Sequence, residues 1–176
     1  MYRAMLPCGA ALAAALAFAA PASAGDDRAF FDRIEGSWSG PGEIVAGKYK
    51  GTRFTCKLTG APLERKTGLE LDGKCNVGLF SQAVSATIEQ NGRSYRGRFL
   101  DGAAGKGLDV ISGNVTADRV TVGMERAELS GAMVAKVKGD GKLAVTISVR
   151  VGDDLVPVIG MDLKRGLDRT AVGSIR

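Results

Sequence analysis

Between residue 36 and about residue 165, apolar and polar residues alternate in short runs, and Gly, Asn or Asp separates one run from the next. A period of two sends successive side chains to opposite faces of an extended strand, so each run has one face to bury and one to wet. The runs cover Trp38 to Val45, Thr52 to Thr59, Gly68 to Val77, Ala83 to Glu89, Ser94 to Leu100, Leu108 to Val115, Arg119 to Glu125, Ala132 to Lys138, Leu143 to Arg150 and Leu155 to Lys164, ten in all. The clearest apolar faces are Val120, Val122, Met124; Leu143, Val145, Ile147, Val149; and Leu155, Pro157, Ile159, Met161, Leu163.

Asn91 with Gly92 and Asp140 with Gly141 predict tight hairpins, because both pairs tolerate the positive φ that such turns need. Ala117 with Asp118 and Gly152 with Asp153 are further turn signals. Short turns between antiparallel strands favour an up-and-down meander, and closing it removes the exposed edges. The expected fold is therefore all-β, an antiparallel up-and-down β-barrel of about ten strands. A two-sheet sandwich is the alternative that strand counting leaves open. Pro157 places the last strand at an edge or a barrel seam, since Pro has no N–H to donate. Ahead of the strands, Asp26 to Ile34 reads as a short N-terminal helix. Asp26 or Asp27 can cap it, Phe30, Phe31 and Ile34 share a face, and Gly36 stops it. It is expected to plug or flank one end of the sheet.

Residues 1–24 have the pattern of a secretory signal peptide: Arg3 is the positive flank, Ala10 to Ala20 the apolar region, and Ala22, Ser23 and Ala24 the small-residue cleavage site. The apolar stretch falls short of the roughly 20 residues that span a bilayer. Cleavage before Gly25 is expected, with a periplasmic or secreted location and no stable membrane insertion. The expected division is a signal peptide over residues 1–24, a barrel domain over 25–165 and a flexible tail over 166–176, where the alternation is lost. About 150 mature residues suffice for one domain with a real core and are too few for two. The 24 Lys and Arg exceed the 19 Asp and Glu, giving a net charge of +5, but they are scattered singly and form no basic block. No nucleic-acid partner is expected.

With Cys8 in the leader, two cysteines remain, Cys56 and Cys75, an even number suited to an oxidising compartment. Phe54, Cys56 and Leu58 share one face of their run, and Leu69, Leu71, Gly73, Cys75, Val77 and Leu79 form a second. If the runs are antiparallel with Cys56 opposite Cys75, Phe54 meets Val77 and Leu58 meets Gly73. The turn then falls on the polar residues Glu64, Arg65, Lys66 and Thr67. Register and turn chemistry thus agree on one pairing, and a disulfide there would contribute roughly 3 kcal/mol.

The chain contains no His, which removes the Ser–His–Asp triad, the Cys–His pair and His-ligated haem or zinc. Glu43, Glu70, Asp109, Glu125 and Asp162 fall in the polar or ambiguous phase of their strands, where solvated faces explain them. No Gly-rich phosphate loop opens a helix. No enzymatic activity, cofactor or metal is expected; an enzyme would need a site such as Tyr95 with a neighbouring acid.

Directly after the short helix, Gly36, Trp38, Gly40 and Gly42 resemble the Gly-x-Trp-x-Gly-x-Gly opening of nitrobindin-like and other calycin barrels. The resemblance implies that Trp38 helps close one end of the barrel and that the glycines let the first strand coil tightly against its neighbours. Nitrobindins bind haem through a His; this chain has none, so haem binding is not carried over. The leader, the early Gly-x-Trp and a Cys pair bridging neighbouring strands are also similar in layout to small periplasmic metalloprotease inhibitors. The chain further resembles short exported proteins of alphaproteobacteria.

Two function readings follow. The first is a non-enzymatic, lipocalin-like exported barrel that takes a small apolar ligand. Its motive is that the inward positions Gly73, Ala86, Gly97 and Ala135 are small and aromatics are scarce, which leaves interior space. A core filled by Leu, Val, Ile and Met fits the same pattern. The candidate ligand-binding residues are Trp38, Phe54, Ala86, Gly97, Phe99 and Ala135. The second reading is a protein-interaction or protease-inhibitor module with an envelope partner, using Gly25 to Asp32 as its arm.

Overall fold

The computed structural model describes residues 24–100, 107–139 and 141–166. Apart from Ala24 and Gly166, the expected signal peptide and tail lie outside the described residues, as does Asp140 of the expected Asp140–Gly141 turn. One helix, α1 (Ala24–Ile34), precedes ten strands: β1 (Gly36–Ile44), β2 (Arg53–Pro62), β3 (Gly68–Val77), β4 (Phe80–Asn91), β5 (Ser94–Leu100), β6 (Leu108–Thr116), β7 (Arg119–Arg126), β8 (Leu129–Val137), β9 (Lys142–Val151) and β10 (Asp154–Arg165). Every expected strand is present. Each pairs antiparallel with its sequence neighbours, and β1 pairs with β10, so the sheet closes into a barrel and the sandwich is excluded.

The period of two explains which residues form the core. In β7, Val120, Val122 and Met124 are buried while the residues between them are not. The same phase brings Leu58, Leu69, Ile88, Val110, Val145 and Leu163 into one interior cluster. Cys56 lies opposite Cys75 and forms the disulfide between β2 and β3, with Leu58 opposite Gly73 as the sequence register required. At the seam, a Cβ on Gly40 would stand 2.1 Å from the backbone oxygen of Asp162 in β10, so only a glycine lets β1 approach closely enough to close the sheet.

Two β-bulges interrupt the alternation. One places Ile111 as an extra residue between Val110 and Ser112 of β6, and the other places Val158 between Pro157 and Ile159 of β10. An extra residue reverses the faces beyond it. Leu155 and Pro157, expected on the inward face with Ile159, are therefore exposed, opposite Arg150 and Ser148 of β9. Pro157 does sit beside the seam. It lies just past the last β1–β10 pair, Ile44 with Ile159, where its missing N–H breaks no seam bond.

The helix starts two residues earlier than expected, so Asp27 lies within the helix and is not its cap. The apolar stripe behaves as the sequence implied: Phe30 and Phe31 are each 1% exposed and Ile34 is buried with them. Gly36 stops the helix with a φ of 97°, a conformation that an L side chain resists.

Candidate functional site

The end of the barrel beneath α1 is sealed by polar ties between distant parts of the chain. The Tyr95 hydroxyl at the start of β5 donates to Asp27 Oδ2 at 2.7 Å. The Trp38 indole N–H donates to the Ile34 carbonyl at 2.9 Å, and the Arg165 guanidinium donates to the carbonyls of Arg33 and Glu35. Three carbonyls that helix geometry leaves without intrahelical donors are thereby satisfied. Arg165 also lies over the Trp38 ring, 4.6 Å from its centroid. Arg33 reaches the Ala117 carbonyl in the β6–β7 turn, pinning the far side of the helix to the wall.

Above this floor the interior is hollow. A cavity of about 430 Å³ extends from Phe31 and Ile34 toward the opposite end of the barrel. Its walls are almost wholly apolar, with Phe54, Leu71, Phe99, Met133, Ile147 and Met161 among them. Two polar side chains point into it, Gln82 and Arg126; Ser130 and Ser148 border it, but they pair with outward-facing Glu125 and Pro157, so their hydroxyls lie on the outer face. Both Gln82 and Arg126 lie toward the strand ends farthest from α1, so they mark the mouth. Arg126 is the single charged residue of the lining, and among the described residues it makes no ion pair. The disulfide faces inward in the mouthward half of the wall, where Cys75 lines the cavity and Cys56 Sγ lies 3.9 Å from Met161 Sδ.

The rim of the mouth differs from the sealed end. Every large apolar residue exposed among the described residues belongs to the connections of this end or to the strand residues beside them. Leu79 in the β3–β4 turn is fully exposed and Phe80 beside it is 83% exposed. Tyr49, Leu129, Val151 and Leu155 continue the ring.

Of the six residues picked from the sequence, Phe54, Ala86, Phe99 and Ala135 line the cavity. Trp38 does not; it is consumed in the seal. Gly97 does not either, because a Cβ there would stand 1.8 Å from the Thr87 backbone oxygen. Its lack of a side chain serves strand approach rather than cavity space, and Gly73 is similar, 2.2 Å from the Lys57 oxygen. The sequence reading missed Gln82 and Arg126. Arg126 ends an alternating run in phase with Val122 and Met124, a signal that was present but reads as an ordinary solvated strand end.

Tyr95 does have the neighbouring acid that an enzymatic reading would require. Tyr95 is buried under the helix, away from the cavity lining, Asp27 is half-buried within the helix, and burial followed by the Asp27 hydrogen bond holds the phenol well above the usual tyrosine value. That direction opposes use of Tyr95 as a base. The segment expected to act as a free arm, Gly25 to Asp32, is instead part of α1, and its Phe30 and Phe31 side chains are the plug.

Fold and site together define a small closed antiparallel β-barrel with one sealed end and an apolar interior. The crystal structure of Rv2717c from M. tuberculosis is similar to it, with a TM-score of 0.58 over 77% of this chain and 94% of that chain. The two sequences are 14% identical, so the likeness is one of fold. No family model matches this chain, and no curated protein matches it in sequence.

Proposed function

We propose that the barrel is a non-enzymatic carrier that takes a small apolar or amphipathic molecule into its interior, apolar part first. The observation that carries this reading is the cavity of about 430 Å³ with its polar lining side chains confined to the mouth. Ligand pockets commonly occupy roughly 300–1,000 Å³. Deep in the barrel no side chain offers a hydrogen bond, so length and girth select the ligand and burial of apolar surface drives binding, at about 25 cal/mol per Å². At the mouth, Arg126 favours an anionic head group through charge-assisted hydrogen bonds. A calycin-like barrel exported to the periplasm is the setting we propose. The Gly36, Trp38, Gly40, Gly42 string and the leader-like first 24 residues support it.

Native mass spectrometry of the protein purified from its own cell envelope, beside its denatured mass, tests the reading. A small-molecule adduct that vanishes on denaturation is expected. In parallel, 1-anilinonaphthalene-8-sulfonate should brighten on binding and be displaced by decanoate, and Ala135→Phe, which fills the cavity, should abolish both effects. A bare native mass together with unchanged dye binding in Ala135→Phe would sink the carrier reading.

A further inference from the structure

We infer that the barrel docks mouth-first on an anionic phospholipid bilayer, through the β1–β2 connection and the β3–β4 turn. Among the described residues, five hairpins have two-residue turns, at 78–79, 92–93, 117–118, 127–128 and 152–153. The second turn residue is Arg93, Asp118, Glu128 or Asp153 in four of them and Leu79 in the fifth. Turn positions normally go to polar residues or glycine, because they lie in water. Leu79 and the adjoining Phe80 make no use of their apolar surface within the molecule, so that surface has a use outside it.

The neighbouring β1–β2 connection supplies the matching charge. Its tip reads Lys48, Tyr49, Lys50, with the Lys48 ammonium 5.5 Å from the Tyr49 ring, and residues 44–52 contain no acid. Residues 76–82 around the other tip contain no charge at all. Among the described residues, the acids nearest this end, Glu43, Asp109, Glu125, Glu128, Asp153 and Asp154, lie outside both tips, and Glu43 is paired with Arg53. An exposed aromatic between lysines, beside two protruding apolar side chains, matches an interface where apolar groups enter the acyl boundary and ammonium groups meet lipid phosphates. Because β2 pairs with β3, the two tips adjoin on the rim, so the apolar and the cationic side chains lie beside one another. Docking stops at the surface, because the outer wall carries exposed Lys57, Lys74 and Arg98, the reverse of a membrane-spanning barrel.

The test is co-sedimentation with vesicles of phosphatidylcholine alone and of phosphatidylcholine with an equal part of phosphatidylglycerol. It uses full-length protein purified from producing cells, its intact mass recorded first. Binding that is stronger to the anionic vesicles is expected. Leu79→Ser with Phe80→Ser should weaken it by more than about tenfold, and Lys48→Glu with Lys50→Glu should remove the preference for phosphatidylglycerol. These residues are exposed, and unchanged urea midpoints show that the variants remain folded. A protein that stays in the supernatant with both vesicles overturns the inference, as does undiminished binding by the Leu79, Phe80 double variant. So does a self-association lost in that variant without any vesicle binding, which would make the occupant a second copy. Docking does not depend on the carrier reading: vesicle binding retained in Ala135→Phe supports it whether or not the cavity takes a ligand.

Discussion

Phe31 and Phe80 stand at opposite ends of one barrel, the first 1% exposed and the second 83%. Both ends have apolar residues to cover, and only one covers them itself. The sealed end succeeds because a helix brings Phe30, Phe31 and Ile34 over the opening and because its polar groups find donors and acceptors in β1, β5, β10 and the β6–β7 turn. At the mouth no plug is formed among the described residues, and the covalent link between Cys56 and Cys75 reinforces the pairing of β2 with β3 there. Apolar surface thus stabilises one end directly, while at the other much of it stays exposed.

This contrast predicts a wide difference between the two phenylalanines. Phe31→Ala should lower the unfolding free energy by about 3–5 kcal/mol, since it empties a packed site, whereas Phe80→Ser should change it by less than about 0.5 kcal/mol. Urea denaturation of both variants measures the gap, and equal losses would erase the distinction between the ends. The link at the mouth comes next. Replacing Cys56 and Cys75 together by Ala should cost about 3 kcal/mol on the chain-entropy model, seen as a lower urea midpoint that reductant no longer shifts.

The arginines give a smaller version of the same comparison. Arg165→Ala should cost about 1 kcal/mol by freeing helix carbonyls, and Arg126→Ala at the mouth should leave stability within about 0.5 kcal/mol of the parent. Tyr95→Phe should cost a similar 1 kcal/mol or so. It also tests a pH limb. The folded protein holds the Tyr95 phenol above its ordinary value, so the stabilisation is complete below that value and is lost as pH rises through it toward the folded one. Melting temperature should therefore fall on the alkaline side, less steeply in Tyr95→Phe. The smallest effect concerns Asp118, lowered chiefly by its hydrogen bond to Lys136 at 3.2 Å. Its contribution is complete above the ordinary carboxyl value and is lost as pH falls toward the lowered one. Asp118→Asn should flatten the acid limb slightly, as read by melting temperature against pH.

The strands, the helix stripe and the disulfide register were legible in the sequence because each rests on a local period or on two signals that agree, as Cys56 with Cys75 and the polar turn after Leu63 do. The bulges were not. One extra residue leaves the apolar content of β10 unchanged, so Leu155 and Pro157 read as inward until the pairing with β9 is known. The turn at Gly78 and Leu79 was missed for a related reason: Val77, Leu79 and Phe80 read as strand-like residues where a turn signal was sought. The site was legible in half its substance. Phe54, Ala86, Phe99 and Ala135 followed from phase alone, but Trp38 and Gly97 required knowing which neighbour approaches them. Hollow and filled barrels share one binary pattern, and only the three-dimensional spacing of the walls separates them.

Pairing between sequence neighbours forms all of this sheet except the junction of β1 with β10, and the helix carbonyls of Arg33 and Glu35 are held by a residue 132 and 130 positions downstream. The first structure to be made therefore waits on the last. A chain cut short before β10 would be an open nine-stranded sheet with two bare edges, and the carbonyls of Arg33 and Glu35 would lack their Arg165 donor. Such a fragment would be adhesive and readily degraded, so this architecture distinguishes finished copies from unfinished ones by their surfaces alone.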